Sequence, residues 1–289
     1  MTTTFTVEAA RRYLAEEIRV CANIRSRRLV EALATVPRES FLPPGPWTIR
    51  GVGDISGAAR VTDDANPRHV YHDLAVAIDS TRNLYNGQPS LIARWLDDAG
   101  LGEGQRVVHV GCGAGYFTAL MASVVGPTGR VDAVDVDAGL ATQAAVNLAA
   151  WRWVSVSVGN GAARLASGAN VIIVHAGATH VLDVWMDSMA DGGRLVMPLT
   201  IEVPGMPTGI GKGLMMSVRR DGETWTARVH PMMPVAIYSL KEVRDESLGT
   251  VLGQAMMTGA VMKVQRVRRD SHEPTPSCIV HGTSNCLSA

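Results

Sequence analysis

The sequence predicts an α/β fold with a mostly parallel sheet, an antiparallel edge and helices on both faces. Three observations carry this prediction. Short apolar runs alternate with segments of helical period between residues 106 and 198, glycines join the first run to the next helix, and residues 214–243 favour antiparallel strands. Such alternation is typical of parallel strands whose crossover helices cover the sheet.

The N-terminal segment, residues 1–86, is predicted to be a helical and irregular cover. Apolar residues recur at helical spacing from Val7 to Val36, which indicates two helices, and Pro37 ends the second. Residues 47–86 show no sustained period and are interrupted by glycines and a proline, so we expect an irregular stretch there.

The central segment, residues 87–245, is predicted to contain the sheet. Pro89 opens a helix that runs to Ala99. Residues 246–289 are predicted to form a C-terminal extension, polar from Gln265 onward. In the central segment we expect strands at 106–110, 130–136, 154–158, 171–175 and 194–198, helices at 116–125, 138–151 and 181–189, and antiparallel strands at 214–229 and 234–243.

The composition excludes several classes of protein. Hydrophobic residues make up 46% of the chain and charged residues 19%, which is typical of a folded globular protein. The 27 basic residues balance the 27 acidic ones, so no overall field favours a nucleic acid or an anionic membrane. The apolar runs fall far short of the ~20 residues that a membrane span needs, and no signal peptide is evident. Four scattered cysteines form no disulfide framework, and we expect a cytoplasmic protein.

The most informative stretch, His109–Tyr116, lies where a buried strand passes into a helix. Its glycines Gly111, Gly113 and Gly115 allow a tight turn and a close approach of the backbone to a ligand. Their spacing is G-x-G-x-G rather than the G-x-G-x-x-G of dinucleotide-binding turns. Asp135 ends the next strand, where a carboxylate can accept hydrogen bonds from both hydroxyls of a ribose. With no lysine for phosphates in the turn, these residues favour S-adenosylmethionine over NAD or ATP.

Three positions near this turn have competing interpretations. Asp137 can cap the helix that follows it, and Asn160 can bind an adenine edge or serve as an ordinary turn residue. Cys112 occupies a place that requires a small side chain, so we interpret it as a space-filler rather than a nucleophile. The residues expected to bind the cofactor are Gln88, Gly111, Cys112, Gly113, Gly115, Asp135, Val136, Asn160 and Gly161.

Five segments follow one another along the chain in a recognisable order: Val36–Phe41, Gln88-Pro89, Val110–Tyr116, Gly159-Asn160-Gly161 and Asp191–Pro198. Together they resemble the protein-L-isoaspartate O-methyltransferase family of class I S-adenosylmethionine-dependent methyltransferases, in which the first segment is similar to VPRE.F and the last to GGRL..P. The resemblance covers most of residues 25–245. It implies a Rossmann-like methyltransferase sheet, S-adenosyl-L-methionine as cofactor and a peptide or protein carboxylate as methyl acceptor.

The sequence also departs from the family pattern. The family has a T-I-S-x-P segment whose serine hydroxyl lies beside the transferred methyl group, and alignment on Pro89 places Gly87 at that serine. Asn160 replaces the family's usual Asp, although an amide oxygen can still accept from the adenine amino group. These departures preserve the expected cofactor site and leave open whether isoaspartate is the substrate.

The candidate catalytic residues follow from what each acceptor requires. Tyr85 and Asn86 can replace the missing serine by hydrogen bonding to the acceptor, or they only shape the pocket wall. A carboxylate is ionised at neutral pH and needs no general base, whereas a hydroxyl does. For a hydroxyl or amine acceptor the candidate base is His175 or His180, near the end of a predicted strand, with a loop or packing role as the alternative for each.

Four residues of the extension could suggest a metal ion. They are His272, Cys278, His281 and Cys286, and their order lacks the paired spacing of a structural zinc site. The sequence therefore predicts no metal site.

Three functions remain open from the sequence. The first is methyl transfer to a carboxylate of a peptide or protein. The second is methylation of a small metabolite on oxygen, nitrogen or carbon, with the region of Gly87 and the extension setting specificity. The third is a catalytically silent protein that binds the cofactor and acts through partners. Neither a nucleic acid nor a membrane is expected as a partner, and the sequence does not indicate the oligomeric state.

Overall fold

The computed structural model describes residues 6–51, 59–205, 209–239 and 243–289. The chain divides into two units, one formed by Met1–Gly104 and Cys112–Val158, the other by Gln105–Gly111 and Gly159–Ala289. The units interleave along the chain, whereas the three segments expected from the sequence follow one another. Those segments stay a prediction.

The helices and strands are numbered in chain order. The helices are α1 (Val7–Cys21), α2 (Arg27–Thr35), α3 (Pro89–Asp98), α4 (Tyr116–Val125), α5 (Ala138–Asn147), α6 (Asp183–Ser188) and α7 (Glu246–Met257). The strands are β1 (Thr48–Arg50), β2 (Arg60–Val61), β3 (Ala75–Asp79), β4 (Leu84–Tyr85), β5 (Arg106–Val110), β6 (Arg130–Asp135), β7 (Val154–Val158), β8 (Ala169–Val174), β9 (Met189–Glu202), β10 (Ile210–Asp221), β11 (Thr224–Tyr238), β12 (Arg266–Arg268), β13 (Cys278–His281) and β14 (Cys286–Ser288).

The first unit begins with the two helices that the sequence predicts. The side chains of Thr6 and Ser26 accept hydrogen bonds from the first turns of α1 and α2. Each helix buries one apolar face, with Leu14 and Ile18 on α1 and Leu29 on α2 almost fully buried. The two predicted helices are thus confirmed.

The stretch expected to be irregular contains a small sheet. Its four short strands are ordered β2-β1-β3-β4, and each neighbouring pair with a described register is antiparallel. The sequence gives little sign of these strands because β2 and β4 have two residues each, too few for alternation to show.

The rest of the first unit follows the predicted pattern of helices and strands. β6 and β7 pair in parallel, with Val131 opposite Val154 and Asp135 opposite Val158. α4 is buried almost all round, including Thr118 at 0% exposure, which explains why its apolar residues show little helical periodicity. α5 ends at Asn147, four residues before the predicted Trp151.

The second unit combines parallel and antiparallel strands in the order β13-β14-β12-β11-β10-β9-β8-β5. β5, β8 and β9 are parallel, and the strands from β9 to β13 are antiparallel. An α/β fold with parallel central strands and an antiparallel part is therefore confirmed. The antiparallel part extends further than predicted, because the C-terminal extension contributes α7 and three strands rather than an appended polar tail.

No helix among the described ranges has both the length and the apolar character needed to cross a membrane.

Candidate cofactor and acceptor site

The glycine turn opens α4 in the first unit. Gly115 is the N-cap of α4, and Gly113 has a φ of +54°, a left-handed conformation that side chains with a Cβ rarely adopt. A Cβ at Gly113 would meet only Ile78 Cδ1 within 4 Å, at 3.7 Å. The turn therefore presents backbone at a place where a ligand can approach it closely.

Asp135 lies at the end of β6 and orders this turn. Its Oδ2 accepts from the Gly113 N–H at 2.7 Å, and its Oδ1 accepts from the Asp137 N–H at 3.0 Å. The side chain is only 8% exposed, and this burial raises the pKa of the carboxyl. A carboxylate has about four lone-pair positions, so both oxygens of Asp135 retain capacity to accept from ribose hydroxyls.

The neighbours of Asp135 have roles of their own. Asp137 caps α5 by accepting from the Leu140 N–H at 2.9 Å, as one interpretation of the sequence expects, and it also pairs with Arg82. Cys112 is buried, and burial raises the pKa of its thiol to about 12, so it keeps its proton at neutral pH. Val136 is 58% exposed beside the carboxylate.

Asn86 is held from one side by Arg38. The guanidinium of Arg38 donates to Asn86 Oδ1 at 2.8 Å. Because arginine only donates, the amide oxygen must face Arg38 and the amide nitrogen must point away. Asn86 Nδ2 is buried and meets no acceptor within the ranges that the structure describes. Asn86 thus presents a buried donor, whereas its neighbour Tyr85 lies under the Arg50 guanidinium, 4.8 Å from the ring centroid.

Arg38 is a residue whose importance sequence reasoning missed. It is fully buried and donates to the carbonyl oxygens of Val70 at 2.8 Å, Leu74 at 2.8 Å and Gly87 at 3.2 Å. These contacts connect the segment before β3 with the residues that follow β4. The sequence signal that could have identified Arg38 is its place in the Val36–Phe41 segment. That segment was used only as evidence of a family resemblance.

Gly87, at the family's serine position, adopts a glycine conformation. Its φ is +77°, and a Cβ there would lie 3.4 Å from Ile92 Cγ1. The backbone at this position therefore disfavours a serine, and the residue also lacks the serine hydroxyl.

Gln88 is tied to residues of the same unit. Its Nε2 donates to Asp73 Oδ2 at 2.6 Å and to Ser90 Oγ at 3.1 Å. Asp73 also accepts from the Ser90 N–H at 2.8 Å, which satisfies one donor in the first turn of α3. Because the amide nitrogen of Gln88 makes both of these hydrogen bonds, its side chain would contact a cofactor through the amide oxygen.

His175 in the second unit forms a pair with another histidine. It follows β8 and its Nδ1 lies 2.9 Å from the Nε2 of His109, which is fully buried. Burial lowers the pKa of His175 to about 3, so the ring is a poor general base at neutral pH. The structure favours the packing interpretation for His175. Burial also lowers the pKa of His180, whose Nδ1 lies 2.9 Å from Thr179 Oγ1.

Asn160 and Gly161 follow β7 and belong to the second unit. Asn160 Oδ1 accepts from the Ala162 N–H at 2.8 Å, so the oxygen expected to meet adenine already closes a turn. A Cβ at Gly161 would lie 2.4 Å from Val110 Cγ1. Gly161 is therefore explained by close packing against β5, and the Trp185 indole donates to its carbonyl oxygen at 2.9 Å.

Comparison with solved structures supports the fold. A protein-L-isoaspartate O-methyltransferase aligns over 86% of this chain and 69% of its own, with a TM-score of 0.62 and 22% identity. One from Plasmodium falciparum, titled as a putative enzyme in complex with S-adenosyl-L-homocysteine, aligns over 80% of this chain and 98% of its own, with a TM-score of 0.59 and 18% identity.

The fold and the glycine turn with its buried carboxylate define a class I S-adenosylmethionine-dependent methyltransferase. Residues 59–208 match the family model described as Protein-L-isoaspartate(D-aspartate) O-methyltransferase. The chain is 32% identical to the enzyme of that name from Aeropyrum pernix over 66% of each chain. It is 30% identical to the one from Methylorubrum populi over 76% of this chain and 91% of the relative. The chain belongs to the protein-L-isoaspartate O-methyltransferase family.

Proposed function

We propose that this protein transfers the methyl group of S-adenosylmethionine to a carboxylate of a peptide or protein. Residues of the first unit fit the cofactor: Gly113 offers uncrowded backbone, and Asp135 offers a buried carboxylate with acceptor capacity. When bound, the cofactor supplies an electrophilic methyl group. The chain's own residues would bind and orient it, with Gln88, Val136, Asn160 and Gly161 as the further proposed contacts.

The observation that carries this proposal is the chemistry of the groups beside the glycine turn. Cys112 keeps its proton because burial raises its pKa to about 12. His175 is a poor base because burial lowers its pKa to about 3. Neither group suits the deprotonation of a hydroxyl acceptor at neutral pH. A carboxylate is already ionised there, so it needs only orientation toward the methyl group.

Asn86 is the residue proposed to orient the acceptor. Its buried Nδ2 can donate to a carboxylate oxygen, which is the role that the resemblance gives to the missing serine hydroxyl. Arg38 fixes the direction of that donor by holding the amide oxygen. Tyr85 is the second proposed contact, and its ring lies under the Arg50 guanidinium.

The experiment uses the purified protein, labelled S-adenosylmethionine and an isoaspartyl peptide, with the matching aspartyl peptide beside it. A carboxyl methyl ester releases labelled methanol under mild base, whereas O-alkyl, N-methyl and C-methyl products do not. Base-labile label on the peptide supports the proposal, and preference for one peptide identifies the carboxylate. Cofactor binding without transfer to any peptide carboxylate, tested against a proteome digest, overturns it in favour of a metabolite-methylating or silent protein.

Asn86→Asp is the sharp variant for the acceptor contact. The carboxylate still accepts from Arg38 but lacks the donor and places negative charge toward the acceptor. We expect KM for the peptide to rise at least about tenfold while the Kd of the cofactor changes little. An unchanged KM would remove Asn86 from the proposed acceptor site.

A further inference from the structure

Four potential metal ligands of the C-terminal extension lie together in the second unit. One side-chain atom each of His272, Cys278, His281 and Cys286 lies within 4.8 Å of the other three. Three of these residues are half-buried and Cys286 is 1% exposed. The sequence spacing predicted no metal site, and this convergence argues against that prediction.

A β-bulge explains how the side chains of Cys278 and His281, three residues apart on one strand, come to lie on the same side. Residues three apart on a regular strand face opposite sides. In β13, however, the register shifts between Cys278, opposite Ser288, and Val280, opposite Leu287. The extra residue returns His281 to the side of Cys278, and His281 lies opposite Cys286. The alternate residues Val280 and Leu287 are buried at 2% and 3% exposure, so they pack into the core.

His272 is oriented as a ligating histidine should be. Its Nδ1 lies 2.7 Å from the carbonyl oxygen of Asp270, and its Nε2 lies 3.5 Å from the Sγ of Cys278. Metal-bound histidines typically donate the other ring N–H to a carbonyl or carboxylate, which fixes the ring. The contact between Nε2 and Sγ is close to the ~3.6 Å that tetrahedral zinc gives between sulfur and nitrogen ligands.

Cys278 has a supporting contact of the same kind, and His281 packs against His272. Cys278 Sγ accepts from the Thr275 N–H at 3.3 Å, and such hydrogen bonds favour a thiolate. His281 Nδ1 is buried and meets no hydrogen-bond partner among the described parts of the chain. The rings of His272 and His281 approach edge to face, with centroids 4.8 Å apart.

We propose that His272, Cys278, His281 and Cys286 bind a Zn²⁺ ion. Two cysteines and two histidines are a ligand set that zinc prefers over magnesium or calcium, which select oxygen. Four protein ligands complete a tetrahedral shell and leave no position for substrate, so the ion is structural. Two thiolates balance the charge of the ion.

The site joins the hairpin β13-β14 to the loop after β12. Neighbouring residues connect that hairpin and loop to α6: Asn285 Nδ2 donates to Asp183 Oδ1 at 3.1 Å, and Arg269 pairs with Asp183 and Asp187. The ion therefore stabilises the segment that packs beside β11, and its loss loosens the extension.

The full-length protein tests the proposal directly. Metal analysis of protein expressed in zinc-supplemented medium should find about one zinc per chain. A mercurial that blocks thiols should release that zinc, detected by a chromophoric chelator. Reduced protein freed of metal should take up Co²⁺ and show the visible absorption of tetrahedral thiolate coordination. Zinc content far below one per chain, with no cobalt spectrum from the reduced protein, overturns the proposal.

Variants with matched controls assign the ligands. Cys278→Ser and His272→Gln should each lower zinc retention at least about tenfold, whereas Cys21→Ser, at an exposed cysteine, and His69→Gln should retain it. The cobalt spectrum of the wild-type protein does not depend on how the variants fold. Equal zinc content in Cys278→Ser and Cys21→Ser contradicts the site. The purified protein could instead hold a Cys278–Cys286 disulfide. If it does, and if the protein takes up no metal once that disulfide has been reduced, the proposal is also contradicted.

Discussion

Asp135 Oδ2 accepts a hydrogen bond from the Gly113 N–H at 2.7 Å, so one carboxylate both orders the glycine turn and faces the proposed ribose site. Replacing Asp135 by Ala removes that bond and the proposed ribose contacts. We expect cofactor binding to weaken by about 1–3 kcal/mol, or roughly 5- to 150-fold in Kd. Calorimetric titration with S-adenosylhomocysteine measures this, with Asp132→Ala on the same strand as control. Equal affinity in both variants would remove Asp135 from the site.

Cofactor binding should depend on pH through Asp135. Burial raises the pKa of its carboxyl, so the side chain takes up a proton at a higher pH than an ordinary aspartate. The ionised form is the one that accepts from the ribose, and affinity should therefore fall as pH falls through the raised pKa. Binding of S-adenosylhomocysteine to Asp135→Asn should show a flatter pH profile. Identical profiles for the two proteins would contradict this assignment.

Restoring the family's serine at position 87 should cost stability. Gly87 has a φ of +77°, which costs a residue with a Cβ roughly 1–2 kcal/mol. Gly87→Ser should lower the free energy of unfolding by about that amount in urea titrations. Gly51→Ser is the control, because a Cβ there meets nothing within 4 Å. A Gly87→Ser protein as stable as the control would show that the backbone relaxes.

Gly161 should tolerate alanine only if Val110 becomes smaller. A Cβ at Gly161 would lie 2.4 Å from Val110 Cγ1, and overpacking of this kind costs about 1–3 kcal/mol. In the double variant Gly161→Ala with Val110→Ala, the cost of overpacking should disappear. The cost of truncating Val110 should remain. A double-mutant cycle of unfolding free energies measures the coupling. Additive effects would mean that the backbone moves apart instead.

His175 should make stability depend on pH. Its pKa is lowered to about 3 in the folded protein, below its ordinary value, so between those values the unfolded chain binds a proton that the folded protein does not. The neutral His175 ring makes its full contribution to the free energy of unfolding above the ordinary histidine pKa. That contribution is lost as the pH falls from there toward 3. His175→Gln should reduce the loss of unfolding free energy between neutral and acidic pH. An equal loss in the variant and in the wild-type protein would contradict this assignment.

The parts of the fold that sequence predicted best are those with regular apolar patterns. α3, α4, β5, β6 and β8 lie close to their expected positions because each buries enough apolar side chains to show a pattern. β7 also lies where expected, although its residues are half-buried or exposed, because its valines alternate with serines. The strand boundary near residue 229 was misplaced, since the hairpin turn between β10 and β11 lies at Asp221–Thr224. Gly222 in this turn has a φ of +57°, and an Asp-Gly pair is a strong signal of a hairpin turn. The strand was nevertheless predicted to continue through this pair because apolar residues lie on both sides of it.

The site was predicted unevenly for a physical reason. The sequence predicts Asp135 and the glycine turn as parts of one site because both follow neighbouring strands of a strand-turn-helix-strand unit, although it does not predict their direct hydrogen bond. The role of Arg38 depends on contacts with residues 32 or more positions away, and its hydrogen bonds go to backbone carbonyls that carry no residue signature. The cluster around Cys278 depends on one bulge, and a bulge changes which residues share a face without changing their spacing.

The extension also affects the behaviour of the protein in solution. β12 covers the outer edge of β11, where Thr226 lies opposite Arg266 and the Ala227 N–H donates to the Gln265 carbonyl oxygen at 2.7 Å. A chain that ended before this strand would leave this end of the β11 edge without its backbone partner. Uncovered strand edges can pair with the backbone of other chains. The extension therefore shields this end of β11 from such pairing.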